Sequence, residues 1–216
     1  MAASTRYGSL SSMRILVALS GNALLRHGAA AEAGAPQPNV EVAVEALAEI
    51  AAEHELVIAH DSGPGVGAML ELGLRNALPG RDVITVVPQV VVGGDDPSPQ
   101  PYAIAQLRSL RLLVDSGGLV ICPSGGGIPI AVDRVGTLRG IEETVDWDLS
   151  VSLLARRLDA DMLVMLADGD GPVDSQEEAV RRFSEATARP AEIGALTDAV
   201  EIVRGAVGTR LAPRDA

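Results

Sequence analysis

A chain of 216 residues is enough for one generous domain that buries about 70% of its unfolded surface, and a single cysteine, Cys122, excludes an internal disulfide framework. Twenty-nine acidic against seventeen basic residues give a net charge of −12, and aromatics are only 2% of the chain; nucleic acid and anionic membranes are disfavoured partners, and the core must be aliphatic. All seventeen basic residues are arginine, so every mechanism that needs a lysine, from a Schiff base to a Walker-type phosphate lysine, is excluded.

The opening polar residues 1–12 read as a flexible tail, and the apolar run that follows is too short for a signal sequence. Continuous Val, Ile and Leu runs predict strands buried on both faces at 14–19, 55–59, 82–87, 118–122 and 162–166. Between them, Asn39 is placed to cap a helix whose apolar face is Val40, Val44, Leu47 and Ala51. Further helices are expected over 66–76, 102–115, 148–158, 177–185 and 198–204. The alternation argues for an α/β sandwich around a mostly parallel sheet. Breaks at 93–101 and 169–174 are too short to link independent domains. Residues 13–216 therefore read as one domain. No run reaches the ~20 apolar residues of a membrane helix, and the lone cysteine fits a reducing cytoplasm.

In such folds ligands sit beyond the carboxyl ends of the strands. Four polar or Gly-rich loops fall there: Ser20-Gly21-Asn22-Ala23, His60-Asp61-Ser62-Gly63, Pro123-Ser124-Gly125-Gly126-Gly127 and Asp168-Gly169-Asp170. Glycines at these points let backbone N–H groups approach an anion, and helix starts add partial positive charge. One such loop is ordinary turn chemistry; four in register point to a site.

Around those residues the chain resembles carbamate kinase, of the amino-acid kinase family. The similar stretches include Leu19-Ser20-Gly21-Asn22-Ala23-Leu24-Leu25, His60 through Gly67, Gln89 through Pro97, Gly125 through Pro129, Asp146-Trp147-Asp148-Leu149, the run from Ala160 to Asp170, and Ile193-Gly194-Ala195-Leu196. They keep the family's order across most of the chain. The resemblance implies an αβα amino-acid kinase fold, a homodimer, and phosphoryl exchange between ATP and a carbamate. It also implies substrate- or anion-binding roles for Ser20, Gly21, Asn22, His60, Asp61, Ser62, Gly63, Gly125, Gly126 and Gly127. Asp146, Asp148, Asp168 and Asp170 would lie on the nucleotide side, with magnesium and ATP or ADP required only if phosphotransfer is retained.

The departures from that pattern concern charge. Trp147 stands where the family reads Asp-Lys-Asp, and Ser175-Gln176 stand where it reads Pro-Lys. Asp61, Ser62 and Gly65 replace Gly, Asn and Gln, and Ser20 replaces a Gly. Phosphoryl transfer depends on positioning and on positive charge, one electrostatic donor being worth ~10²–10³ in rate. The resemblance also implies two excisions, a lid subdomain between Pro97 and Ser98 and a segment near the nucleotide base between Val173 and Ser175. The expectation is a protein that binds a small anion, such as carbamate or carbamoyl phosphate, in its Gly-rich loops with ATP phosphotransfer lost or very slow. The alternatives are an active minimal kinase with arginines replacing lysines, for which Arg26, Arg134 and Arg139 are the nearest candidates, and a non-catalytic regulatory or scaffold dimer.

Three smaller readings complete the sequence. His60-Asp61-Ser62 holds the residue types of a hydrolytic triad, but neighbours on one strand end diverge. His60, Asp61, Asp168 and Asp170 could hold a divalent ion or simply face water, and no metal is expected. Cys122 reads as a small buried hydrophobe; Trp147 fills the vacated lysine space, stacks on a ligand, or anchors a subunit interface.

Overall fold

A computed structural model describes residues 12–24, 38–93, 99–123, 127–133, 135–142, 145–167 and 174–210. β1 (Arg14–Leu19) runs through the middle of the sheet, and its five residues from Ile15 to Leu19 are fully buried. A short turn of helix, α1 (Gly21–Leu24), follows, then α2 (Pro38–Glu53), β2 (Glu55–His60), α3 (Gly63–Ala77) and β3 (Val83–Thr85). Next come β4 (Gln89–Val92), β5 (Pro101–Ile104), α4 (Leu107–Asp115), β6 (Leu119–Pro123), β7 (Ile128–Val132) and β8 (Leu138–Gly140). The chain continues through α5 (Trp147–Arg157), β9 (Met162–Leu166), α6 (Asp174–Thr187), β10 (Ala191–Gly194), a 3-10 turn (Leu196–Asp198), α7 (Ala199–Val203) and β11 (Thr209–Arg210).

Among the described residues the main sheet has seven strands in the order β11-β10-β9-β1-β2-β6-β3, parallel except for β11 at one edge. Alternation along β1 separates two cores. Ile15, Val17 and Leu19 pack with Val40, Leu47, Leu70 and Leu74 from α2 and α3 and with Ile202 of α7. Leu16 and Ala18 pack on the other face with Leu110, Val151, Leu154, Val180 and Phe183 from α4, α5 and α6. The result is the expected αβα sandwich. Each fully buried aliphatic side chain contributes about 1.5–3 kcal/mol, so the two apolar faces of this sheet dominate the fold.

Several local expectations need correction. The stretch 102–115 is not one helix: β5 ends at Ile104 and α4 begins at Leu107. Asn39 lies inside α2 rather than ahead of it, and its side-chain amide donates to the Ala23 carbonyl at 3.1 Å, tying α2 to α1. A second sheet, in the order β5-β4-β7-β8, was not expected. It grows from the chain leaving β3 and β6, and a hydrogen-bonded pair, Gln89 with Gln106, fastens its base: Gln106 donates Nε2–H to Gln89 Oε1 at 2.9 Å and accepts the Gln89 backbone N–H at 2.7 Å. Both implied excisions fall against residues outside those described. No helix among the described residues is long and apolar enough to cross a membrane.

Candidate functional site

Connections leave β1 toward β2 on one side and its other neighbour is β9, so strand order reverses at β1, the place where open α/β sheets form a crevice at their carboxyl ends. Backbone hydrogen bonds stitch the three adjacent loops together there. Ser20 N–H donates to Leu166 O at 3.0 Å, Asp61 N–H to Leu19 O at 3.3 Å, and Ala167 N–H to Gly194 O at 3.0 Å. Gly21 lies against the same corner: a Cβ on it would sit 3.4 Å from the Asp61 carbonyl oxygen. Ser20, Gly21, Asp61 and Ser62 are therefore neighbours, as the sequence spacing implies, and Gly63 opens α3 beside them. Asn22 is in α1 and nothing is described of its side chain. Gly125, Gly126, Asp168 and Asp170 lie outside the described residues.

His60 closes β2 and is fully buried. Its Nδ1 accepts the Ser62 backbone N–H at 3.3 Å, which leaves the proton of the neutral ring on Nε2. Burial pushes the imidazole down to about 4, so the ring is uncharged at neutral pH. The hydrolytic triad has no geometry here, because the contact between His60 and Ser62 uses the serine backbone and the Ser62 hydroxyl has no partner among the described residues.

α5 brings the acids. Asp146 is its N-cap: Oδ1 accepts from Leu149 N–H at 3.0 Å and the backbone carbonyl accepts from the Ser150 hydroxyl at 3.0 Å. Asp148, two residues on, is 7% exposed, and its Oδ2 accepts from the Ser175 hydroxyl of α6 at 2.5 Å. Burial, opposed by that hydrogen bond and reinforced by the charges of Asp146 and Asp61, lifts the Asp148 carboxyl to about 6. Burial also raises Asp61 above the ordinary carboxylate range. No described arginine offsets the three acids; Arg139 lies on the exposed strand β8, and Arg26 and Arg134 fall outside the described residues.

Buried polar atoms are nearly always hydrogen-bonded. Six side-chain atoms here find no partner among the described residues, and five belong to this corner: Ser20 Oγ, Ser62 Oγ, His60 Nε2, Trp147 Nε1 and Asp148 Oδ1. Four of the five can donate a proton. Trp147 itself is half-buried and packs on the α4–α6 core. Among the described residues no three His, Cys, Asp or Glu side chains gather as a metal would need. Cys122 is buried, with its thiol pushed up to about 12, which fits the inert hydrophobe expected of it. The pairing of Ser175 with Asp148 was missed, because 27 residues separate them and no local pattern announces it.

Gly127, by contrast, has a local reason to be glycine. Its φ is +106°, and a Cβ there would stand 2.0 Å from the Pro88 carbonyl oxygen, which accepts the Ile128 N–H at 2.9 Å. The residue leads into β7 of the second sheet.

No family model matches the chain. Individual proteins do. The carbamate kinase of Rhizobium meliloti is 30% identical over 91% of this chain and 92% of its own length. That of Haemophilus influenzae is 28% identical over 92% and 96%. The first alignment runs over 299 positions against the 216 residues here, so the relative carries at least 83 positions that this chain lacks. Among solved structures, carbamate kinase from Giardia lamblia bound to AMP-PNP superposes with a TM-score of 0.83 at 22% identity, covering 94% of this chain and 99% of that one. A shared amino-acid kinase sandwich, with 30% identity to a relative matched over nearly its full length, places this chain in the carbamate kinase family.

Proposed function

We propose that this member of the family binds a small anion of low charge, carbamate, carbamoyl phosphate or a close analogue, at the carboxyl ends of β1 and β2, and that transfer of phosphate from ATP is lost or very slow. The observation that carries the reading is the distribution of charge. At the carboxyl ends stand Asp61, Asp146 and Asp148, and burial, with the charges of the other two acids, lifts the Asp148 carboxyl to about 6. The arginines that bond the sheet's edges do so at the opposite end. Arg14 opens β1 and donates to Leu158 O, Arg75 donates to Val83 O at the head of β3, Arg81 donates to the Ala51 and His54 carbonyls ahead of β2, and Arg189 donates to Ala160 O ahead of β9.

A transferring phosphoryl group spreads negative charge over three oxygens and needs cations around it. The described part of this site offers neutral donors instead, the hydroxyls of Ser20 and Ser62 and the indole N–H of Trp147, while Nε2 of His60 faces Gly67 of α3. Such donors suit a singly charged carbamate better than a nucleoside triphosphate. The described residues therefore fit a polyphosphate poorly, and no catalytic step through ATP is assigned to them. The homodimer implied by the resemblance belongs to the same reading. Support comes from Met69 and Leu72, which α3 leaves exposed beside Val44 around an apolar hollow of about 400 Å³.

The test is a coupled assay of ATP formation from ADP and carbamoyl phosphate. The reading expects no turnover approaching the ~1–100 per second of ordinary kinases, together with a rise in melting temperature on adding carbamoyl phosphate. Ordinary turnover would establish the active minimal kinase. No thermal shift with carbamoyl phosphate or inorganic phosphate would leave only the scaffold dimer.

A further inference from the structure

A hollow bounded by described residues lies away from the strand-end loops, between the carboxyl ends of α5 and α6. It encloses about 450 Å³, and its wall includes Leu153, Arg156, Arg157, Asp159 and Arg189. Arg156 is eight residues beyond Asp148 on α5, about 12 Å further along at 1.5 Å per residue, so the two sites share a helix but not a surface. Three guanidiniums share this wall in a chain of net charge −12.

Arginines near helix carboxyl ends often do no more than offset the terminal dipole. That accounts for Arg189, whose Nη1 donates to the Asp159 and Ala160 carbonyls at 2.7 and 2.8 Å, and for Arg157, whose Nη2 donates to Tyr102 O at 3.0 Å. It does not account for Arg156. Its Nε donates to Ser152 O at 3.3 Å, and no carboxylate among the described residues meets the two terminal nitrogens of its fork. Asp159, the carboxylate on the wall, is held by Arg111 at 2.8 Å. Burial and the neighbouring charges of Arg157 and Arg182 push the Arg156 guanidinium below its ordinary value. A half-buried cation pressed against other cations, with its fork unfilled, lacks a counter-charge.

We propose that this hollow is a second anion site, in which Arg156, with Arg157 and Arg189, takes a small multiply charged oxyanion, a polyphosphate or a polycarboxylate. The fork geometry of a guanidinium matches two oxygens of one phosphate or carboxylate, and several such groups call for a ligand with more than one charge. A volume of about 450 Å³ suits a small molecule. The site is independent of the reading given for the strand-end loops, and it would let the protein register a metabolite at the end of α5 opposite to Asp148.

Isothermal titration of the full chain with pyrophosphate, and separately with citrate, at low ionic strength tests this. At least one of the two is expected to bind, with Arg156→Gln and Arg157→Glu each weakening it tenfold or more and Ser62→Ala leaving it unchanged. Which probe binds more tightly separates polyphosphate from polycarboxylate. Arg157 is exposed, so its charge reversal reads the site even if Arg156→Gln does not fold. Absence of binding by both probes at millimolar concentration overturns the proposal, as does binding that survives both arginine substitutions or disappears in Ser62→Ala.

Discussion

Nε2 of His60 lies 2.7 Å from the point where a Cβ on Gly67 would stand, so the ring at the end of β2 occupies space that any other residue on α3 would fill. Gly67→Ala must push the imidazole out of a fully buried position or shift the helix. A loss of about 1–3 kcal/mol is expected, the usual cost of overpacking, measured by denaturant unfolding. An unchanged midpoint would show that the ring is free to move.

Asp148 and His60 make opposite contributions to stability as pH changes. His60 is held down to about 4 in the fold against an ordinary 6.5, so the unfolded chain takes up a proton first and stability falls as pH drops from 6.5 toward 4. Asp148 is held up at about 6 against 3.8, so the folded chain takes up a proton first and stability rises as pH drops from about 6 toward 3.8. Asp148→Asn removes only the second effect. The variant should therefore gain stability relative to the parent at pH 8 and lose that advantage near pH 4.5. A difference that does not vary with pH would mean that the carboxyl titrates normally.

On the proposed function the same carboxyl should govern anion affinity. Protonation of Asp148 removes a negative charge from the corner where the orphaned donors lie, so carbamoyl phosphate should bind more tightly as pH falls through about 6. Titrations at pH 5.5 and 7.5 decide it, and Asp148→Asn should flatten the trend.

Gly127→Ala should be among the more damaging single changes in the molecule. A positive φ combined with a backbone oxygen 2.0 Å from the new Cβ forces the Pro88 strand entry apart. We expect more than about 3 kcal/mol, beyond the ordinary penalty for a strained conformer. Cys122→Ser, read by the same melt, tests instead how much a buried hydroxyl costs on the inner face of β6.

If the chain pairs through the apolar hollow on α3, Leu72→Glu should convert dimer to monomer in sedimentation without lowering the melting temperature of the monomer, because Leu72 is 63% exposed. A single species of monomeric mass in the parent protein would remove the dimer from the proposed function.

The central strands were legible because burial on both faces writes a continuous apolar run. The bounds 14–19 and 162–166 coincide with β1 and β9. The second sheet was not legible, since its strands are three to five residues long and Pro129 sits inside one of them. The misread helix over 102–115 has a simple cause. Ile104 stands three residues before Leu107, so the helical spacing of Leu107, Leu110 and Val114 runs backward by coincidence into β5. At the site, the loops that follow β1 and β2 were foreseen from glycine and polar residues at strand ends. The hydroxyl of Ser175 on Asp148 and the unfilled fork of Arg156 belong to tertiary contacts that no local pattern encodes.

Trp147 carries one last consequence. It is the chain's single indole, set at the first turn of α5 next to Asp148 with its N–H unengaged. Intrinsic emission excited at the red edge of the protein band therefore originates from one place, and that place is the corner where a small molecule is expected to settle. Occupancy of the cleft becomes visible as a wavelength shift or quench in unlabelled protein, with no second fluorophore of its kind to dilute the signal.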